Sequence, residues 1–123
     1  MSVPVALEGL REQIEAMPPD VFLLTVSDGT SPHAVSAEVR WEGEQLVVGA
    51  GRTTARNVAA APAVTLLWPA SGEDYSLIVD GSGAVDGDVV RITPERAILH
   101  RSVRASAPDG HTSGDAPRCI TVL

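Results

Sequence analysis

Lysine is missing from this chain of 123 residues: all nine basic side chains are arginine, set against 16 acidic ones, for a net charge of -7. An acidic chain is poorly suited to nonspecific nucleic-acid binding, which depends on neutralising phosphates with cationic side chains, so nucleic acid is not expected as a partner. A single cysteine, Cys119, excludes an intrachain disulfide and suits a reducing compartment. Aromatic residues make up only 3%, so Val, Leu, Ile and Ala must fill any core. No apolar run approaches the ~20 residues of a transmembrane helix. Near the N-terminus Glu8, Arg11, Glu12 and Glu15 interrupt the apolar residues, leaving no signal-peptide core. These absences imply a soluble cytoplasmic protein with no membrane partner and, at this length, one domain over residues 1–123.

Recognisable catalytic patterns are equally scarce. His33, His100 and His111 share no metal-ligand spacing, and the chain has no Cys-X-X-Cys, no His-Glu-X-X-His and no carboxylate cluster, so no metal site is expected. Ser102 with His100, or Ser113 with His111, lacks a nucleophile-elbow setting. No residue stands out as catalytic.

What the chain does have is strand periodicity. Leu7, Leu10, Ile14 and Met17 predict an N-terminal helix within residues 1–19, ended by Pro18-Pro19. Residues 21–26 read as a buried strand. Val35, Ala37, Val39 and Trp41 alternate with Ser36, Glu38 and Arg40, which predicts a strand with one apolar face. Further strands are expected at 45–49, 63–68, 75–85 and 89–93, with Gly81 and Gly83 marking a bulge or close approach and Asp86-Gly87-Asp88 a hairpin turn. Thr93-Pro94-Glu95 carries the cap chemistry of a second helix, which would hold His100. Residues 104–117 read as a flexible loop that could act as a lid, and 119–123 as a last strand. The pattern predicts a mainly β protein: a small antiparallel, Greek-key-like barrel with short flanking helices.

The most informative stretch is residues 47–58. An apolar strand enters Gly49-Ala50-Gly51, followed by Arg52, Thr53, Thr54, Arg56 and Asn57, and then an Ala-rich segment stopped by Pro62. Strand, glycine turn and helix start bring unpaired backbone N–H groups and a partial positive charge to one point. Thr hydroxyls and Arg beside them would complete a phosphate site; a solvated helix face is the plain alternative for the two Arg. Neither a dinucleotide fingerprint nor a P-loop fits, because the third glycine and the Gly-Lys-Ser/Thr ending are absent.

Taken in order, Pro32-His33-Ala34-Val35, residues 46–57, Ala61-Pro62-Ala63-Val64-Thr65-Leu66 and Ile78-Val79-Asp80-Gly81-Ser82-Gly83 resemble the pyridoxamine 5'-phosphate oxidase-like, FMN-binding split-barrel proteins. The resemblance spans residues 20–93. It implies a split barrel, a homodimer, and FMN held across the dimer interface by an oxidoreductase acting on a small-molecule substrate. On the matching positions it implies that Val35, Ser36 and Ala37 lie along the flavin ring or ribityl chain. Gly49, Ala50, Gly51, Arg52, Thr53 and Thr54 would hold the phosphate. Asn57 and Trp68 would complete the site, with Ser76 contributed by the partner subunit. Two positions depart from the family pattern: Arg52 stands where Ser is frequent and Thr54 where Lys is frequent, which moves the positive charge to Arg52 or Arg56. The chain also ends before the substrate-binding C-terminal part of pyridoxamine phosphate oxidases, so that activity is not expected. Relatives of this family bring two alternatives to FMN, the deazaflavin coenzyme F420 and haem, and one alternative role, non-catalytic cofactor carriage.

Overall fold

The computed structural model of the chain describes residues 2–70 and 74–101. The expected loop at 104–117 and strand at 119–123 lie outside these residues. Eight strands form one antiparallel sheet: β1 (Ser2–Val5), β2 (Val21–Ser27), β3 (Ser31–Ala37), β4 (Val39–Glu42), β5 (Gln45–Gly49), β6 (Ala63–Trp68), β7 (Ser76–Asp86) and β8 (Val89–His100). Hydrogen bonding runs in the order β3-β2-β6-β7-β8-β5-β4, with β1 added to β8.

The two ends of that path, β3 and β4, are consecutive in the chain and separated only by Glu38. Two residue steps span at most about 7 Å, so the first and last strands must meet and the sheet must curl into a barrel. The alternating strand expected across 35–41 is thus two strands. Val35, Ala37, Val39 and Trp41 all pack toward the core as expected, while pairing changes from β2 to β5 at Glu38. The core is built from Leu, Val, Ile and Ala, including Leu23, Leu46, Leu66, Leu77, Val90 and Ile92, with Trp68 the one aromatic in the buried set.

Strand β8 overturns the second-helix expectation. It runs unbroken to His100, paired with β7 along one edge and, along the other, with β5 near its start and β1 near its end. Asp80 pairs with Arg96 and Gly81 with Pro94, so Glu95 is the extra residue of a β-bulge. Pro94 cannot donate to a ladder, and a bulge is where a strand tolerates it. The capping chemistry of Thr93-Pro94 loses to two-sided strand pairing. A side chain at Gly81 would collide with the Thr93 carbonyl oxygen. The N-terminal helix is also shorter than expected. Residues 2–5 are strand β1, and only the 3-10 turn Leu7–Gly9 and helix α1 (Leu10–Glu15) follow. Leu10 is fully buried, with Ile14 and Met17 packed against the core.

Helix α2 (Arg52–Ala60) lies against β2, β7 and β8. Val58 is its core residue, and Gly83 permits the approach: an added Cβ would sit 3.2 Å from Val58 and 3.1 Å from Val90. Among the described residues no helix is long and apolar enough to cross a membrane, and no group of three or more His, Cys, Asp or Glu is placed to hold a metal.

Candidate functional site

Strand β5 ends at Gly49, where the Ala50 N–H is held by the Asp88 carbonyl at 2.9 Å. Gly51 is extended and forms the N-cap of α2 with no side-chain cap. The first helical bond runs from the Ala55 N–H to the Gly51 carbonyl, 3.0 Å. The N–H groups of Arg52, Thr53 and Thr54 therefore precede the helical ladder and project from the positive end of the helix dipole. No acidic residue sits in this first turn, and open space lies around Gly49 and Gly51. Arg52 and Thr53 are exposed, whereas Thr54 is 4% exposed. The cradle thus fits an anion through backbone N–H groups, the Thr53 hydroxyl and the Arg52 guanidinium. Thr54, where the family often carries Lys, brings no charge. Arg56 is also exposed, one turn along the same helix face as Arg52.

Asn57 is turned the other way. It is 4% exposed, its Nδ2 donates to Thr25 Oγ1 (3.1 Å), and its Oδ1 accepts from Ser27 Oγ (3.3 Å). Both oxygen partners belong to β2, so Asn57 pins α2 to the barrel.

Ser36, Ala37 and Trp68 come together in the wall of a cleft of about 900 Å³ between α1, the start of β2 and the β3–β4 junction. Trp68 is 3% exposed and Ala37 half-buried, both packing with the core, while Ser36 is on the outer side. Val35 packs on the core and is not part of this wall. Nor is any residue of the Gly49-to-Thr54 cradle. Ser76 Oγ accepts the Ala70 N–H at 3.0 Å.

The register separates Ser76 from the cradle. Gly49 pairs with Val89 at one end of β8, and Ser76 pairs with His100 at the other. Strand β8 is 12 residues long, about 35 Å at ~3.3 Å per residue. The cradle and Ser76 thus lie at opposite ends of β8.

Three features were invisible in the residue pattern. The first is the cleft itself, which needs α1 folded back over the β3–β4 junction. Next is an ion-pair network on the outer face: Arg91 bridges Glu42 (2.8 Å) and Asp86 (2.7 Å), and Arg40 joins Glu42 (2.8 Å). Hydrogen bonds from Arg91 first and Arg40 second hold the Glu42 carboxyl below its ordinary value, and Asp86 with Glu42 raises Arg91. The stems of Arg40 and Arg91 flank Val47, their register partner, which is fully buried. Last is a second cleft, of about 600 Å³, beside Trp41, whose ring carries the Arg11 guanidinium 4.6 Å above it and whose buried Nε1 has no acceptor among the described residues.

No family model matches the chain. Two uncharacterized proteins, of Mycobacterium bovis and Mycobacterium tuberculosis, are each 37% identical to it over 124 aligned residues, covering 85% of this chain and 85% of the relative. Among solved structures, an F420 reductase superposes with a TM-score of 0.58 at 19% identity, over 70% of this chain and 94% of that one. A candidate pyridoxamine 5'-phosphate oxidase of Listeria innocua reaches 0.62 at 19% identity, over 76% and 99%. The haem storage protein HutZ of Vibrio cholerae reaches 0.57 at 15% identity, over 79% and 96%.

Proposed function

From a chain that belongs to one family with the two mycobacterial proteins and has the pyridoxamine 5'-phosphate oxidase-like split-barrel fold, we propose a homodimeric flavin-dependent oxidoreductase that binds FMN. The observation that carries this reading is the uncapped N-terminus of α2, with the Arg52 and Thr53 side chains exposed beside it. There the chain's own groups would bind the cofactor phosphate. Ser36, Ala37 and Trp68 would then orient the ring in the cleft, and Met17, Phe22 and Trp68 would exclude water from it. When bound, the flavin supplies the hydride and electron transfer.

One feature supports a dimer. A cross-strand row, Phe22–Leu67–Ile78–Ile98–Pro4, lies on the outer face of the barrel. Phe22 is 38% exposed, and an apolar row of this kind is what a self-complementary interface covers. Coenzyme F420, which also carries a phosphate, would use the same cradle.

The test is spectroscopic titration of the purified protein with FMN, riboflavin, F420 and haem, together with sedimentation. We expect FMN to bind more tightly than riboflavin, and a dimer at micromolar concentration. Haem binding without flavin or deazaflavin binding would favour carriage, and a monomer would remove the shared site.

A further inference from the structure

We propose that the cleft between α1 and the β3–β4 junction takes a cationic amphipathic small molecule, a protonated amine on an apolar body. As the substrate class of the flavin site this rests on the reading above, but the binding event itself does not need the flavin.

The cleft volume, about 900 Å³, falls within the roughly 300–1,000 Å³ of small-molecule sites. Its floor is apolar, with Met17, Phe22 and Trp68 among the wall residues. Among the described residues its charged wall residues are all acidic: Glu15, Asp20 and Glu38. They arrive from three separate places in the fold, namely the last residue of α1, the residue before β2, and the single link between β3 and β4. Their convergence is therefore a product of the tertiary structure and not of a charge run along one element.

Among the described residues the ion-paired carboxylates all lie on strands. Glu42 and Asp86 are paired with Arg91, and Asp80 with Arg96. Among the described residues Glu15, Asp20 and Glu38 have no ion-pair partner. Three unneutralised carboxylates over a low-dielectric wall concentrate the field and raise the local concentration of cations. The same field repels a phosphate. The ring of an FMN could enter this cleft, but its phosphate belongs elsewhere, at the basic end of α2. An ammonium group at the rim with an apolar body on Met17, Phe22 and Trp68 satisfies both parts of the wall.

Calorimetric titration of the full chain with three probes of one shape tests the assignment: 4-phenylbutylamine, 4-phenylbutanol and 4-phenylbutanoate. The ammonium form is expected to bind roughly tenfold or more tightly than the alcohol, and the carboxylate more weakly than either. Exposed charge pairs contribute little each, so Glu38→Gln and Asp20→Asn should each weaken the amine by roughly two- to fivefold and leave the alcohol unchanged. Added salt should weaken only the amine. Both variants alter exposed side chains, so folding is not at stake. Equal affinity for the three probes, or an amine affinity indifferent to both substitutions, overturns the proposal. FMN titration of the same protein separates the two readings. FMN binding without amine preference sinks this inference alone, and amine preference without FMN binding sinks the cofactor reading alone.

Discussion

Replacing Asn57 by alanine separates a structural role from a cofactor role at a position where the family resemblance implies the latter. The side chain is 4% exposed and makes two neutral hydrogen bonds, to Thr25 at 3.1 Å and from Ser27 at 3.3 Å. Each such bond is worth about 1 kcal/mol net, and Thr25, itself 3% exposed, would be left without its donor. The loss should come to about 2–3 kcal/mol. For a domain of this length that lowers Tm by roughly 10 °C. Melts followed by circular dichroism would read it, with urea midpoints as a second measure. Titrated well below the melt, the folded variant should bind FMN as the parent does, because the amide faces β2 and not the cradle. A variant that melts within about 2 °C of the parent, or one that keeps its stability and loses FMN, would refute this account.

Arg52→Ala removes the charged part of the cradle. A charge-assisted hydrogen bond is worth about 1.5–3 kcal/mol, so FMN affinity should fall roughly ten- to a hundredfold, with riboflavin little affected; equal losses for both would mean a damaged fold. Arg56→Ala should cost less, because the field of the helix end fades within the first turn. Gly81→Ala drives a Cβ against the Thr93 carbonyl at the bulge, and should destabilise by about 1–3 kcal/mol; a melting curve unchanged from the parent would show that the bulge gives way freely. Glu42 has a folded pKa below its unfolded value of 4.5, held there by Arg91 and then Arg40, so its contribution is complete above 4.5 and is lost as pH falls through the lower folded value. Glu42→Gln should therefore trail the parent at neutral pH and converge with it in acid, and stability curves parallel throughout would oppose this.

The barrel was written in the sequence wherever burial on one face imposed a period of two. Val35, Ala37, Val39 and Trp41 announce their inward face, and Asp86-Gly87-Asp88 announces the β7–β8 hairpin. Gly81 signals the bulge, and the glycine turn before Arg52 signals a helix start. These are local signals, set by backbone sterics and by which side of a strand meets water. Tertiary structure decided what local chemistry leaves open. Thr93-Pro94-Glu95 has good helix-start chemistry but lies in a strand, because β7 and β1 hold the end of β8 on both edges and the bulge absorbs the proline. Residues 2–5 carry no strand signal, and β8 recruits them. Asn57 sits one turn from a candidate phosphate cradle, yet only the position of β2 beneath α2 turns its amide inward. The cleft had no sequence signature. Glu15, Asp20 and Glu38 are distributed over 24 residues of chain, and they face one space because α1 folds back over the one-residue link that closes the barrel.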